Sequence, residues 1–124
     1  MIDTNIYIEY LRGNESIKNI LDFAEIVAFS VISVGEIITG FYLSKNNKRY
    51  FSELDEFFSS ERLLIYDIDT ETAEFYAKIV CDLKLSGNPI PTNDIWIAAL
   101  ALQHGIKLLT GDDHFKKVPG LFLI

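Results

Sequence analysis

The sequence predicts an α/β fold built on a parallel sheet. Short apolar runs alternate with helical patterns along the whole chain. One of them, Glu25–Ser30, is almost continuously apolar, as in a strand covered on both faces. Turn and capping residues stand at nearly every junction. With 124 residues, 49% of them hydrophobic, the chain is expected to form one domain over 1–124 with its own core.

In order, Met1 to Asp3 reads as a first strand, and Asn5 is placed to cap a helix from Ile6 to Leu11 that Gly13 ends. A second helix, Glu15 to Phe23, has Ile17, Ile20 and Leu21 at helical spacing. Strand two covers Glu25 to Ser30. Ser33-Val34-Gly35-Glu36 then opens a helix to about Leu43 in capping-box spacing, which gives Glu36 a purely structural reading. Arg49 to Phe58 carries the stripe Phe51, Leu54, Phe57 and Phe58, read as core or a dimer surface. Strand three is Leu63 to Tyr66. Asp69 caps a long helix to Leu85, with Ala73, Tyr76, Ala77, Val80 and Cys81 as its buried face. After the breaker-rich loop 86–91, Asn93 to His104 is apolar almost all round and is expected deep in the fold. Strand four is Lys107 to Thr110, 111–113 a turn, and Leu121 to Ile124 a last strand.

Composition narrows the functional classes. No apolar run is long enough to cross a bilayer, and no signal segment precedes the first strand. A single cysteine, Cys81, rules out an internal disulfide and suits the cytoplasm. The net charge of -7 is opposite to the basic footprint usual in nucleic-acid binders. It fits a chain whose acids are gathered to hold divalent cations. Lys45, Lys48 and Arg49, and the pair Lys116 and Lys117, are read as solvated faces.

Those acids stand at strand–helix junctions. Asp3 ends strand one, Glu36 follows strand two, Asp112 follows strand four, and Asp94 opens the buried helix. In a parallel sheet with right-handed crossovers these junctions share one edge, where ligands gather. Each acid alone could be a cap or turn residue. Four converging carboxylates repel one another unless a cation intervenes, and all-oxygen ligands select Mg²⁺ or Mn²⁺. Zinc is disfavoured, since neither His104 nor His114 has a plausible sulfur or imidazole partner in sequence.

Asp3-Thr4-Asn5, Ser33-Val34-Gly35-Glu36, Ile90-Pro91-Thr92-Asn93-Asp94 with Trp96 to Ala99, and Leu108-Leu109-Thr110-Gly111-Asp112 with Phe115, Gly120 and Leu121 together resemble the PIN-domain nucleases. Within that family they are similar to the VapC-type toxins of toxin–antitoxin pairs. The resemblance implies a three-layer α/β/α fold, a parallel sheet of order 3-2-1-4-5 with helices on both faces, and a Mg²⁺- or Mn²⁺-dependent endoribonuclease. Carried over by position, the catalytic and metal-binding quartet is Asp3, Glu36, Asp94 and Asp112. Thr4, Asn5, Ser33, Asn93 and Thr110 would orient those carboxylates. The implied partners are an RNA substrate, a cognate antitoxin and a second copy of the chain. Where many relatives have a further acid this chain has His114, and Asp113 is the candidate substitute. A haloacid-dehalogenase-like reading would need an acid where Asn5 stands. The remaining alternative is a catalytically silent binding module, whose usual mark is a missing quartet acid.

Overall fold

Main-chain hydrogen bonds lay five extended segments side by side in the computed structural model, which describes all residues Met1–Ile124. The helices are α1 (Thr4–Leu11), α2 (Glu15–Phe23), α3 (Val31–Tyr42), α4 (Asn47–Phe58), α5 (Thr70–Ser86) and α6 (Thr92–Gln103), with a 3₁₀ turn at Asp113–Lys117. Only β1 (Val27–Ser30) and β2 (Leu63–Tyr66) are regular strands, paired parallel with Val27 opposite Leu63. On the other side of β1, the Ile2 N–H donates to the Ala28 carbonyl at 2.9 Å. Parallel bridges then join Ile2 to Leu109 and Leu108 to Leu123. Counted along the chain, the five segments lie in the order 3-2-1-4-5. Three of the expected strands are thus reduced to two isolated bridges, both made by the fourth segment. The first is cut short because Asp3 already caps α1, and the fourth because Thr110 turns its hydroxyl to the Asp112 N–H, 2.9 Å away.

The pleat sorts side chains between two cores, since successive residues point to opposite faces. Met1, Ala28 and Leu108 join Ile79 and Leu83 of α5 and the buried run Ile97–Ala101 of α6. Ile2, Val27, Phe29 and Leu109 join Tyr7, Leu21, Ile37, Phe41 and Leu54 from α1 to α4. Helices therefore cover both faces, giving three layers, and the α6 segment is buried as its all-round apolarity predicted. The α4 stripe is spent on the second core: Phe57 packs edge-on against Tyr7 and Phe29, at centroid separations of 5.2 and 5.9 Å. No helix is long and apolar enough to cross a membrane.

Helix starts differ from expectation in ways that bear on the site. Asp3, not Asn5, caps α1, accepting the Ile6 N–H at 2.9 Å. Ser30, not Ser33, caps α3, taking the Ser33 N–H at 2.9 Å, so the helix begins at Val31 and the Ser33–Glu36 capping box does not form. Helix α4 begins at Asn47, not Arg49. Asp69 does cap α5, and Thr72 completes a reciprocal capping box. The face of α5 that is buried runs through Thr72, Ile79 and Leu83. Ala73, Ala77 and Cys81 face solvent, because α5 turns its large side chains toward α6.

The Ser30 and Ser33 hydroxyls lie 2.9 Å apart and both residues are fully buried. Replacing Ser30 by Ala removes the cap and strands the Ser33 N–H and hydroxyl. Ser30→Ala is expected to lower unfolding free energy by about 1–2 kcal/mol in chemical denaturation. Ser33→Ala, which keeps the cap, should cost less; a larger loss for Ser33→Ala would contradict this assignment.

Candidate active site

Parallel segments end at one edge, and a crossover helix running back against them begins there. Asp3, Glu36, Asp94 and Asp112 accordingly line one cleft of about 720 Å³, with Thr4, Asn5 and Asn93 among its other walls. None of the 13 lining residues is Lys or Arg.

Neighbouring donors hold the carboxylates. Thr110 donates its hydroxyl to Asp3 Oδ2, while Asp3 Oδ1 is taken by the α1 amide of Ile6. One side chain thus caps a helix and faces the cleft. Glu36 sits past the first turn of α3, with one oxygen accepting from the Thr4 hydroxyl and the other from Asn93 Nδ2 at 2.9 Å. It ties α1, α3 and α6 together. Asp94 lies in the first turn of α6, at the positive end of the helix dipole. Asp112 caps the 3₁₀ turn by accepting the His114 N–H at 2.9 Å.

Burial first, and neighbouring charge second, make two of the acids hold their protons more tightly. Burial, chiefly, pushes the Asp3 carboxyl above the usual 3.8; the hydrogen bonds from Thr110 and Ile6 oppose it, and the nearby Asp112 charge adds to it. Asp94 is raised by the same principal cause, with His114 opposing and the charges of Asp112 and Glu36 adding.

Other expected site residues are distributed differently. Thr4, Asn93 and Thr110 bond the acids directly. Asn5 lines the cleft. Ser33 bonds Ser30 instead of any of the acids. Asp113 does not substitute for a further acid: its side chain is 82% exposed and pairs with Lys116 at 2.6 Å. His114 has no sulfur or imidazole partner, as expected, but lies between two of the acids. Its Nδ1 lies 3.1 Å from Asp94 Oδ2 and 3.2 Å from Asp112 Oδ1. The Asp112-x-His114 spacing is the only signal for this in the sequence, and it becomes legible once Asp112 is known to cap the turn.

The donor set suits a hard divalent cation: carboxylate oxygens, no lysine or arginine in the lining, and neutral donors fixing the ligands from behind. Asp94, Asp112 and His114 bring one donor atom each within 4.8 Å of one another.

Residues 1–121 match the PIN domain family model. The chain belongs to the PIN domain family. Among its relatives is ribonuclease VapC2 of Rickettsia felis, 31% identical over 128 residues spanning 99% of this chain and 94% of that protein. Ribonuclease VapC4 of Mycobacterium tuberculosis is 30% identical over 95 residues, 77% of this chain and 73% of the relative. In structure the chain is similar to the crystal structure of VapBC2 from Rickettsia felis bound to a promoter DNA fragment. That match has a TM-score of 0.92 and 30% identity, covering 100% of this chain and 96% of the other. FitAcB from Neisseria gonorrhoeae matches with a TM-score of 0.80 and 31% identity, over 99% of this chain and 94% of that one.

A carboxyl whose folded pKa is raised binds its proton more tightly in the native state, so its contribution to stability falls as pH rises from 3.8 through the raised value. With EDTA present, Asp94→Asn should therefore melt at or above the parent's temperature at neutral pH, with the advantage shrinking as pH is lowered toward 3.8. A variant less stable than the parent at neutral pH and equal to it in acid would show that the Asp94 charge stabilises the fold.

Proposed function

We propose that the protein is a Mg²⁺- or Mn²⁺-dependent endoribonuclease, the toxin of a toxin–antitoxin pair, acting in the cytoplasm. One observation carries the reading: four acids far apart in sequence share a cleft lined by no lysine or arginine, each fixed by a helix start or a neighbouring donor. The names of the relatives, ribonucleases VapC, support the substrate class.

Asp3, Glu36, Asp94 and Asp112 are the residues that would hold the cation, with Thr4, Asn93 and Thr110 orienting them. When bound, the cation would polarise the scissile phosphate and lower the pKa of an attacking water. The chain's own contribution is positional. The hydroxyl of Thr110 and the α1 amide fix Asp3 in one rotamer, and Glu36 is clamped from two helices, so neither must reorganise during reaction. Asp3 is itself buried, which strengthens the charge interactions it makes. No Ser or Cys nucleophile lines the cleft.

The antitoxin and a second copy of this chain are the proposed partners, supported by neighbours described as VapBC and FitAcB assemblies. The α4 stripe packs on the second core, with Leu54 buried and Phe51, Phe57 and Phe58 partly so, and the most exposed apolar groups beside it are Tyr42 and Leu43, 71% and 84% exposed at the end of α3. An antitoxin segment there would be drawn to place a cation beside the acids.

Asp112→Asn keeps the shape of the site and removes one charge. It should lose cleavage of total RNA by orders of magnitude. Mn²⁺ at a hundred times its Kd should stabilise the parent by about 2.7 kcal/mol and the variant far less. Cleavage by Asp112→Asn at the parent's rate would contradict the proposal. A parent that binds Mn²⁺ yet cuts no RNA would instead mark a silent binding module.

A further inference from the structure

We propose that His114 supplies a nitrogen ligand to the divalent cation held by Asp94 and Asp112, and that it biases the site toward Mn²⁺ over Mg²⁺. The inference rests on the reading of the cleft as a metal site and adds a ligand that the acidic quartet does not contain.

Three observations converge on it. First, the three side chains that bring donor atoms closest together are Asp94, Asp112 and His114, not four carboxylates. Second, His114 Nδ1 stands almost equidistant from two carboxylate oxygens, at 3.1 Å from Asp94 and 3.2 Å from Asp112. Neutral imidazole carries one N–H, so Nδ1 can donate to only one of them well. Neighbouring donors on an octahedral ion with bonds of about 2.1 Å lie about 3 Å apart, and both separations fit that edge. Third, the backbone that carries the imidazole is tied to Asp112, which accepts the His114 N–H at 2.9 Å as it caps the 3₁₀ turn. That bond keeps the Asp112 carboxylate next to the residue that bears the imidazole.

The chemical consequence follows from ligand hardness. Mg²⁺ takes oxygen ligands in a strict octahedron and sheds water reluctantly, whereas transition ions accept imidazole readily. One nitrogen among oxygens therefore favours Mn²⁺ of the two cations that the carboxylates admit. His114 is 41% exposed at its side chain, so its replacement leaves both cores intact.

The test uses the full, untagged chain, stripped of metal and reloaded with MnCl₂. Electron spin-echo envelope modulation should show imidazole ¹⁴N coupling to Mn²⁺ in the parent and none in His114→Asn, which keeps a hydrogen-bonding group in place. The only other histidine, His104, packs on Tyr66 with ring centroids 4.4 Å apart and is not part of the Asp94, Asp112 and His114 group, so the signal has one source. In calorimetry, His114→Asn should weaken Mn²⁺ binding by at least the roughly tenfold that losing an outer ligand partner costs, and Mg²⁺ binding much less. Mn²⁺ bound without nitrogen coupling in the parent, or equal weakening for both ions, overturns the role of His114 and leaves the acidic metal site standing. No Mn²⁺ binding by the parent overturns both.

Discussion

Like charge gathered in a partly desolvated cleft is the constraint on which this molecule turns. A carboxylate taken from water costs free energy, and each neighbour of the same sign adds to the cost. Asp3 is 3% exposed and Asp94 is shielded in the first turn of α6, yet the cleft contains no lysine or arginine to neutralise them. The fold meets part of that cost with neutral donors: the hydroxyls of Thr4 and Thr110, the amide of Asn93 and the first amides of α1. The remainder persists in the raised protonation ranges of Asp3 and Asp94. A cation is the natural counterpart of such a site.

Topology makes the crowding possible. A parallel sheet collects the ends of its segments at one edge, and its crossover helices begin there. Met1 and Ile2, Leu108 and Leu109 run side by side, so Asp3 and Asp112 emerge as neighbours although far apart in sequence. The two cores on either face hold that edge rigid. Economy in the caps is a second consequence. Asp3 and Asp112 each start a helical turn while facing the cleft, so the same bond that begins local structure also fixes a site rotamer. A substitution at either position is thus felt in both stability and chemistry.

Much of this was legible beforehand. Apolar periodicity placed every helix to within a few residues, and the continuous run before Ser30 marked a strand covered on both faces. The convergence of Asp3, Glu36, Asp94 and Asp112 on one edge followed from junction positions alone. Local chemistry was less legible. Ser30 and Ser33 are both good caps, and choosing between them depends on where β1 stops, which packing decides. The buried face of α5 was legible at Tyr76 and Val80, which pack on the first core, but not at Ala73 and Ala77, because small residues fit either environment and contact with α6 fixes which side turns inward. Asp113 and His114 are adjacent in a turn whose hand the sequence does not state. Only the capping bond to Asp112 sends His114 toward the acids and Asp113 out to Lys116.

The central claim, that these carboxylates converge in order to share a cation, is most directly tested by anomalous diffraction from crystals soaked in MnCl₂. The account predicts a manganese peak in the cleft between Asp94 and Asp112, within bonding distance of their oxygens and on the side of Asp3 and Glu36. A well-ordered crystal at saturating Mn²⁺ with no peak there, or with manganese only at surface acids such as Asp113, would contradict it.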